Sequence, residues 1–166
     1  MSSPVPMELV GVRIELPTNT PVLLMRESGG VRYLPIWIGT NEATSIALAL
    51  EGIEPQRPLT HDLLRLTVEA FGATVARVVV TELRDGTFFA DLVMQRDGEE
   101  ITVSARPSDA VALAVRVEAP VFAAPEVLDE AGVEIEDEEE EEEIEKFREF
   151  LDDVRPEDFG VGPERS

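Results

Sequence analysis

Seven side chains in this sequence have types and spacing that could do chemistry: Glu42, Arg57, His61, Asp62, Arg106, Ser108 and Asp109. They fall after WIGTN (37–41), in RPLTHDLL (57–64) and in RPSDAVAL (106–113). The proline after each arginine biases that arginine toward extended backbone, so its guanidinium projects from the junction instead of packing along a helix. Two such guanidiniums, Arg57 and Arg106, would grip a phosphate bidentately, with Ser108 as a further substrate contact. The carboxylates of Glu42, Asp62 and Asp109 would hold Mg²⁺ or Mn²⁺ and orient a water for in-line attack on a phosphodiester. His61 is the only histidine, and an imidazole can give or take a proton near neutral pH, as a general acid or base does. The catalytic set is then His61, Asp62, Arg57 and Arg106. Each residue also has a plainer reading. Asp62 and Asp109 suit the positive end of a helix dipole, alone or paired with the nearby arginines. Glu42 suits a helix start, and His61 a solvated first turn.

The elements that must position these groups follow from hydrophobic period. MELVGVRIEL (7–16) alternates, with Val10, Val12, Ile14 and Leu16 on one side, as a half-buried strand does. PVLLMRE (21–27) and VRYLPIWIG (31–39) flank Ser28-Gly29-Gly30 and form a hairpin. Pro35 places the second of these strands at an edge or a bulge. Tyr33 and Trp37 share its other face, where they would stack on bases or pack against a partner subunit. Ala43, Ile46, Ala47 and Leu50 then recur at helical spacing up to Gly52. A second helix is expected from Thr60, as hydroxyl cap, to Gly72, with Leu64, Val68 and Phe71 as its apolar stripe. Three antiparallel strands over 73–83, 87–95 and 99–105 are joined by Asp85-Gly86 and Asp97-Gly98, strong hairpin signals. Residues 108–117 form a third helix, capped by Ser108. It is apolar at every position from 110 to 115, so it belongs deep in the structure or in a subunit interface. A short strand at 121–123 and a helical turn at 125–131 close the domain. RPLTHDLL and RPSDAVAL also echo each other: Arg-Pro, a hydroxyl, Asp in the first turn, then apolar helix.

These elements make an α+β fold: a mixed, largely antiparallel sheet built from hairpins, with three main helices. The expected organisation is a disordered start (1–6), one domain (7–132), an acidic linker (133–143), and a C-terminal amphipathic helix and tail (144–166). In that tail Ile144, Phe147, Leu151 and Val154 share a helical face. Of the net charge of −21, residues 1–125 carry −6 and the remainder −15, with EDEEEEEE at 136–143. The domain is therefore only mildly acidic, and nucleic acid would be met through a local arginine cluster or a bridging cation. The absence of cysteine excludes disulfides and thiol nucleophiles, and a single histidine excludes multi-His metal sites. The start lacks a signal-peptide pattern, and the longest apolar run, AVALAV (110–115), is far short of the ~20 residues of a bilayer span. A cytoplasmic protein with no membrane association is the expectation.

LPIWIGTNEATSIALALEG, RPLTHDLL, DGTFFADLVM, ARPSDAVALAVR and APVFAAPEVLDEAG occur in this order and spacing. With them the chain resembles the bifunctional nuclease domain family across roughly residues 7–132, and EKFREFLDDVRPEDFG looks like the tail of actinobacterial members. The resemblance implies an α+β domain, a homo-oligomer (first guess a dimer) and a nuclease acting on DNA and RNA. It transfers no settled catalytic residue, though Glu42, Arg57, His61, Asp62, Arg106 and Asp109 all lie in the shared motifs. Ser104 stands where relatives often carry Asp, which bears on metal binding if that carboxylate is a ligand. Two readings follow: a metal-assisted nuclease, a hydrolase of RNA and/or DNA, and a non-enzymatic oligomeric interaction or regulatory protein using its acidic tail and C-terminal helix.

Overall fold

A computed structural model describes residues 3–134. Residues 135–143 of the expected acidic linker and the whole of the expected C-terminal amphipathic helix lie outside the described residues, whereas the first two linker positions, Val133–Glu134, form a short strand. Within them the architecture is α+β, with eight strands in one mixed sheet and four helices.

Two meanders make up most of the sheet. The first is β1 (Val5–Glu15), β2 (Thr20–Glu27) and β3 (Arg32–Trp37), followed by helices α1 (Thr40–Leu50) and α2 (Thr60–Ala70). The second is β4 (Thr74–Arg84), β5 (Thr87–Arg96) and β6 (Glu99–Ala105), followed by helix α3 (Pro107–Val117). A short strand, β7 (Val121–Ala123), lies between the two, antiparallel to β1 and parallel to β4. Helix α4 (Pro125–Ala131) and the two-residue β8 (Val133–Glu134) complete the order β6-β5-β4-β7-β1-β2-β3-β8. The Asp-Gly turns behave as type I′ turns require: Asp85 and Gly86 have φ of 52° and 77°, Asp97 and Gly98 of 51° and 80°.

Helix α3 is the centre of the core, as its unbroken apolar run implies. Its small residues let it press against the sheet on both sides of β7. Val111 and Ala112 join Met7, Leu23, Met25, Ile46, Val80 and Ala123, while Ala110, Leu113 and Ala114 join Val78, Ala90 and Leu92. A fully buried leucine such as Leu113 contributes about 1.5–3 kcal/mol through the area it removes from water. The burial of this helix is thus accounted for within its own domain. α1 packs on α3 and over β1 and β2, whereas α2 lies mainly on α3 and buries only His61.

Several local expectations are corrected. β1 takes in Val5 and Pro6, and its register shifts between Leu9 and Gly11. A one-residue bulge reverses which parity faces inward. Met7 and Val12 are consequently buried, Val10 is exposed, and Leu16 falls beyond the strand. In α1 it is Leu48 that is buried, while Leu50 is exposed. Phe71, the residue just past α2, is 65% exposed instead of closing an apolar stripe. Neither Thr60 nor Ser108 is a cap: the cap positions are Leu59 and Arg106, without side-chain capping, so Thr60 is the first helical residue and Ser108 the second. β3 is not quite the sheet edge, since β8 pairs with its Arg32 and Tyr33, but Pro35 lies past that pairing.

Candidate functional site

The starts of α1, α2 and α3 meet at one cleft of about 680 Å³. Asn41, Glu42 and Ser45 line it from α1, His61 from α2, and Arg106 and Asp109 from the start of α3. The first amides of a helix have no intrahelical acceptor, and aligned peptide dipoles make that end positive. Such ends attract negative charge, whether from a ligand or from a side chain. Each helix also carries an acid as its third residue, Glu42, Asp62 or Asp109, and the fold uses the three differently.

Glu42 folds back over the start of α1, so close to Gly39 that a β-carbon there would clash with its carboxylate. Its Oε1 accepts from Arg106 Nη2 at 2.8 Å, and Arg106 Nε donates to Asp109 Oδ2 at 2.7 Å. Two acids thus hold the guanidinium on two sides, and Nη1 has no partner among the described residues. The other oxygen of Asp109, Oδ1, meets His61 Nε2 at 2.9 Å. On the opposite side of the ring, Nδ1 lies 2.6 Å from Ser45 Oγ. Burial pushes the Asp109 carboxyl up, but hydrogen bonds from Arg106 and His61 outweigh it and hold the group below the usual carboxylate value. An ionised carboxylate only accepts, so Nε2 presents a proton to Asp109, and Nδ1 is the nitrogen that faces the Ser45 hydroxyl. His61 is 7% exposed and its orientation is held at both nitrogens.

Asp62 points elsewhere. Its Oδ2 accepts from the Leu59 amide at 3.0 Å, and its Oδ1 from Arg116 Nε at 2.8 Å. Arg116, whose side chain is 7% exposed, also donates to Ala112 O and Ser45 O, so it ties α1, α2 and α3 together. Burial raises the Asp62 carboxyl, but Arg116 and the Leu59 amide bring it below the usual value.

The structure therefore brings together Glu42, His61, Arg106 and Asp109 and leaves out three other predicted residues. Asp62 is held by Arg116, and Arg57 is exposed on the loop before α2 and is not among the lining residues, although Pro58 beside it is. Ser108 is buried in the first turn of α3 and is not part of the lining. The expected metal ligands do not form a set that fits an ion: Arg106 already bridges Glu42 and Asp109, Asp62 faces Arg116, and no three His, Asp or Glu groups cluster suitably among the described residues. Nor do Tyr33 and Trp37 form a stacking platform, because Tyr33 is buried and the Trp37 indole donates to Glu15 Oε2 at 2.6 Å. Sequence reasoning missed Ser45. The available signal was a hydroxyl three residues after Glu42, and hence on the same helical face.

A model of the bifunctional nuclease domain matches residues 22–136, which includes α1, α2, α3 and every lining residue of the cleft. The chain belongs to the bifunctional nuclease domain family. Among its relatives in this comparison, an uncharacterized protein of Mycobacterium tuberculosis (strain ATCC 25618 / H37Rv) is 52% identical over 159 residues, covering 91% of this chain and 95% of the relative. Bifunctional nuclease 2 of Arabidopsis thaliana is 28% identical over 112 residues, or 64% of this chain and 34% of the plant protein. Bifunctional nuclease 1 of Oryza sativa subsp. indica is 27% identical over 103 residues, covering 60% and 31%. The chain thus spans about a third of the length of those plant nucleases. No helix among the described residues is long and apolar enough to cross a membrane.

Proposed function

We propose that the cleft cleaves phosphodiester bonds of RNA or DNA, with His61 moving the proton. The observation that carries this reading is the single imidazole, fixed between a hydroxyl and an ionised carboxylate in a cleft formed by three helix starts. Arg106 offers Nη1 to a phosphate oxygen, and the first-turn amides add partial positive charge, so a phosphate can bind despite the acidity of the chain. Asp109 positions His61 and balances charge on the ring when it is protonated. Family membership and the names of the plant relatives support a nucleic-acid substrate. No step is assigned to Mg²⁺ or Mn²⁺, because the acids that would bind an ion are engaged with arginines.

The test is cleavage of labelled single-stranded RNA and DNA by wild-type protein and His61→Ala, purified in parallel and assayed in Mn²⁺ and in EDTA. General acid–base catalysis is worth about 10²–10⁴-fold, and a loss in that range is expected. Equal rates in the two preparations would remove the proposal.

A second reading, a homodimer acting as an interaction protein, is favoured by Leu63 and Leu66 on α2, Phe71 just past its end, and Ile101 and Val103 on β6, all exposed. Sedimentation of the full chain checks it: a dimer is expected, and a monomer at tens of micromolar would dismiss it.

A further inference from the structure

Ser45 differs from the other helical hydroxyls nearby. A serine or threonine inside a helix commonly bonds back to the carbonyl one turn earlier. Thr44 does so to Thr40 O at 2.9 Å, and Thr67 to Leu63 O at 2.7 Å. Ser45 instead turns its hydroxyl to His61 Nδ1 at 2.6 Å, in the wall of the cleft. The far nitrogen of that imidazole is held by Asp109, which Arg106 holds in turn. Hydroxyl, base and carboxylate thus stand in one line across three helices. Such an arrangement is recognised by geometry and roles: a nucleophile within hydrogen-bond reach of a base, and a third group orienting the base. Here the ring is reversed relative to the serine protease arrangement, with Nδ1 toward the hydroxyl and Nε2 toward the carboxylate.

We propose that Ser45 is the nucleophile of a two-step phosphodiester cleavage, an inference that rests on reading the cleft as a phosphodiesterase site. Ser45 Oγ attacks phosphorus while its proton passes to His61 Nδ1. The bond from phosphorus to the leaving oxygen breaks, and His61 returns the proton to that oxygen, releasing an alcohol. A phosphodiester now joins Ser45 to the remaining nucleotide. Water then attacks the same phosphorus, giving one proton to His61, the phosphorus–Oγ bond breaks, and the proton is restored to Ser45. The sum is hydrolysis, with nothing oxidised or reduced. Asp109 is the positioning residue, and the Arg106 guanidinium faces the charge that grows on the phosphoryl oxygens. This route uses the groups that the cleft contains and leaves the ion-paired acids in place.

The test has two arms on the full chain. In the first, the protein is treated with an alkyl fluorophosphonate, whose phosphorus is an electrophile, and the labelled peptide is identified by mass spectrometry. Labelling is expected at Ser45 and at least tenfold slower in His61→Ala; no label on Ser45, or a rate indifferent to His61, overturns the proposal. In the second, RNA and DNA cleavage is compared between wild type and Ser45→Ala, with thermal melting as the folding check. A folded Ser45→Ala at least 100-fold slower, and a nucleotide adduct on acid-quenched wild type, are expected. A Ser45→Ala enzyme as fast as wild type overturns the role of Ser45 alone, whereas a wild type that cleaves neither polymer overturns the underlying reading as well.

Discussion

The starts of α2 and α3 look alike: each has an Arg-Pro pair at its approach and carries Asp as its third helical residue. Asp62 bonds its own helix start and the buried Arg116, so it serves the fold. Asp109 reaches across to His61 and back to Arg106, at the edge of the open cleft, so it serves the site. The difference lies in where the proline falls. Pro107 is the first residue of α3, which makes Arg106 the cap residue and puts its guanidinium within reach of Asp109. Pro58 lies two positions earlier relative to its helix, before the cap residue Leu59; Pro58 lines the cleft, whereas Arg57 is exposed and is not among the lining residues. Two similar strings therefore give one structural clamp and one candidate reaction centre.

The contrast can be broken by substitution. The largest effect is expected on chemistry at the site: Arg106→Ala should slow nucleic-acid cleavage by roughly 10²-fold, the order found for removing one group that stabilises developing charge. Steady-state rates on labelled RNA check this, and Arg57→Ala is the paired control. Next comes stability at the clamp. Asp62→Ala leaves Arg116 buried without its carboxylate, and breaking a buried pair costs about 3–5 kcal/mol, with the lower end expected because Asp62 keeps some solvent contact. Urea unfolding measures the loss, whereas Asp109→Asn should lower the rate more than the stability.

A pH series sharpens the same contrast. The folded Asp62 carboxyl titrates below its ordinary value of 3.8, so its contribution is fully present above that pH and is lost as pH falls through the folded value. The stability gap between wild type and Asp62→Asn should thus be constant above about pH 5 and shrink below 3.8. A gap unchanged into strong acid would mean that Asp62 is not ion-paired. The smallest effect is expected at Arg57, whose replacement by Ala should alter stability by no more than about 0.5 kcal/mol, the usual range for an exposed side chain.

Much of this was legible before the fold. Period, the two Asp-Gly turns and the apolar run of α3 define most elements, because each is a local signal. The convergence of helix starts was foreshadowed by the repeated Arg-Pro and acidic pattern. What stayed hidden depended on register and distance. The bulge near Gly11 reverses the facing of β1 by one residue, and Arg116 claims Asp62 from 54 positions away. Ser45 reads as one more hydroxyl in a helix until α2 is folded against it.

The most direct test uses the fact that this chain has one histidine, so its imidazole nitrogens give one unambiguous set of long-range ¹H–¹⁵N signals. The account expects the Nε2-protonated tautomer in the free protein and a saturable shift of both nitrogens when a non-hydrolysable single-stranded oligonucleotide is added. An oligonucleotide that binds while the His61 signals stay still would contradict it.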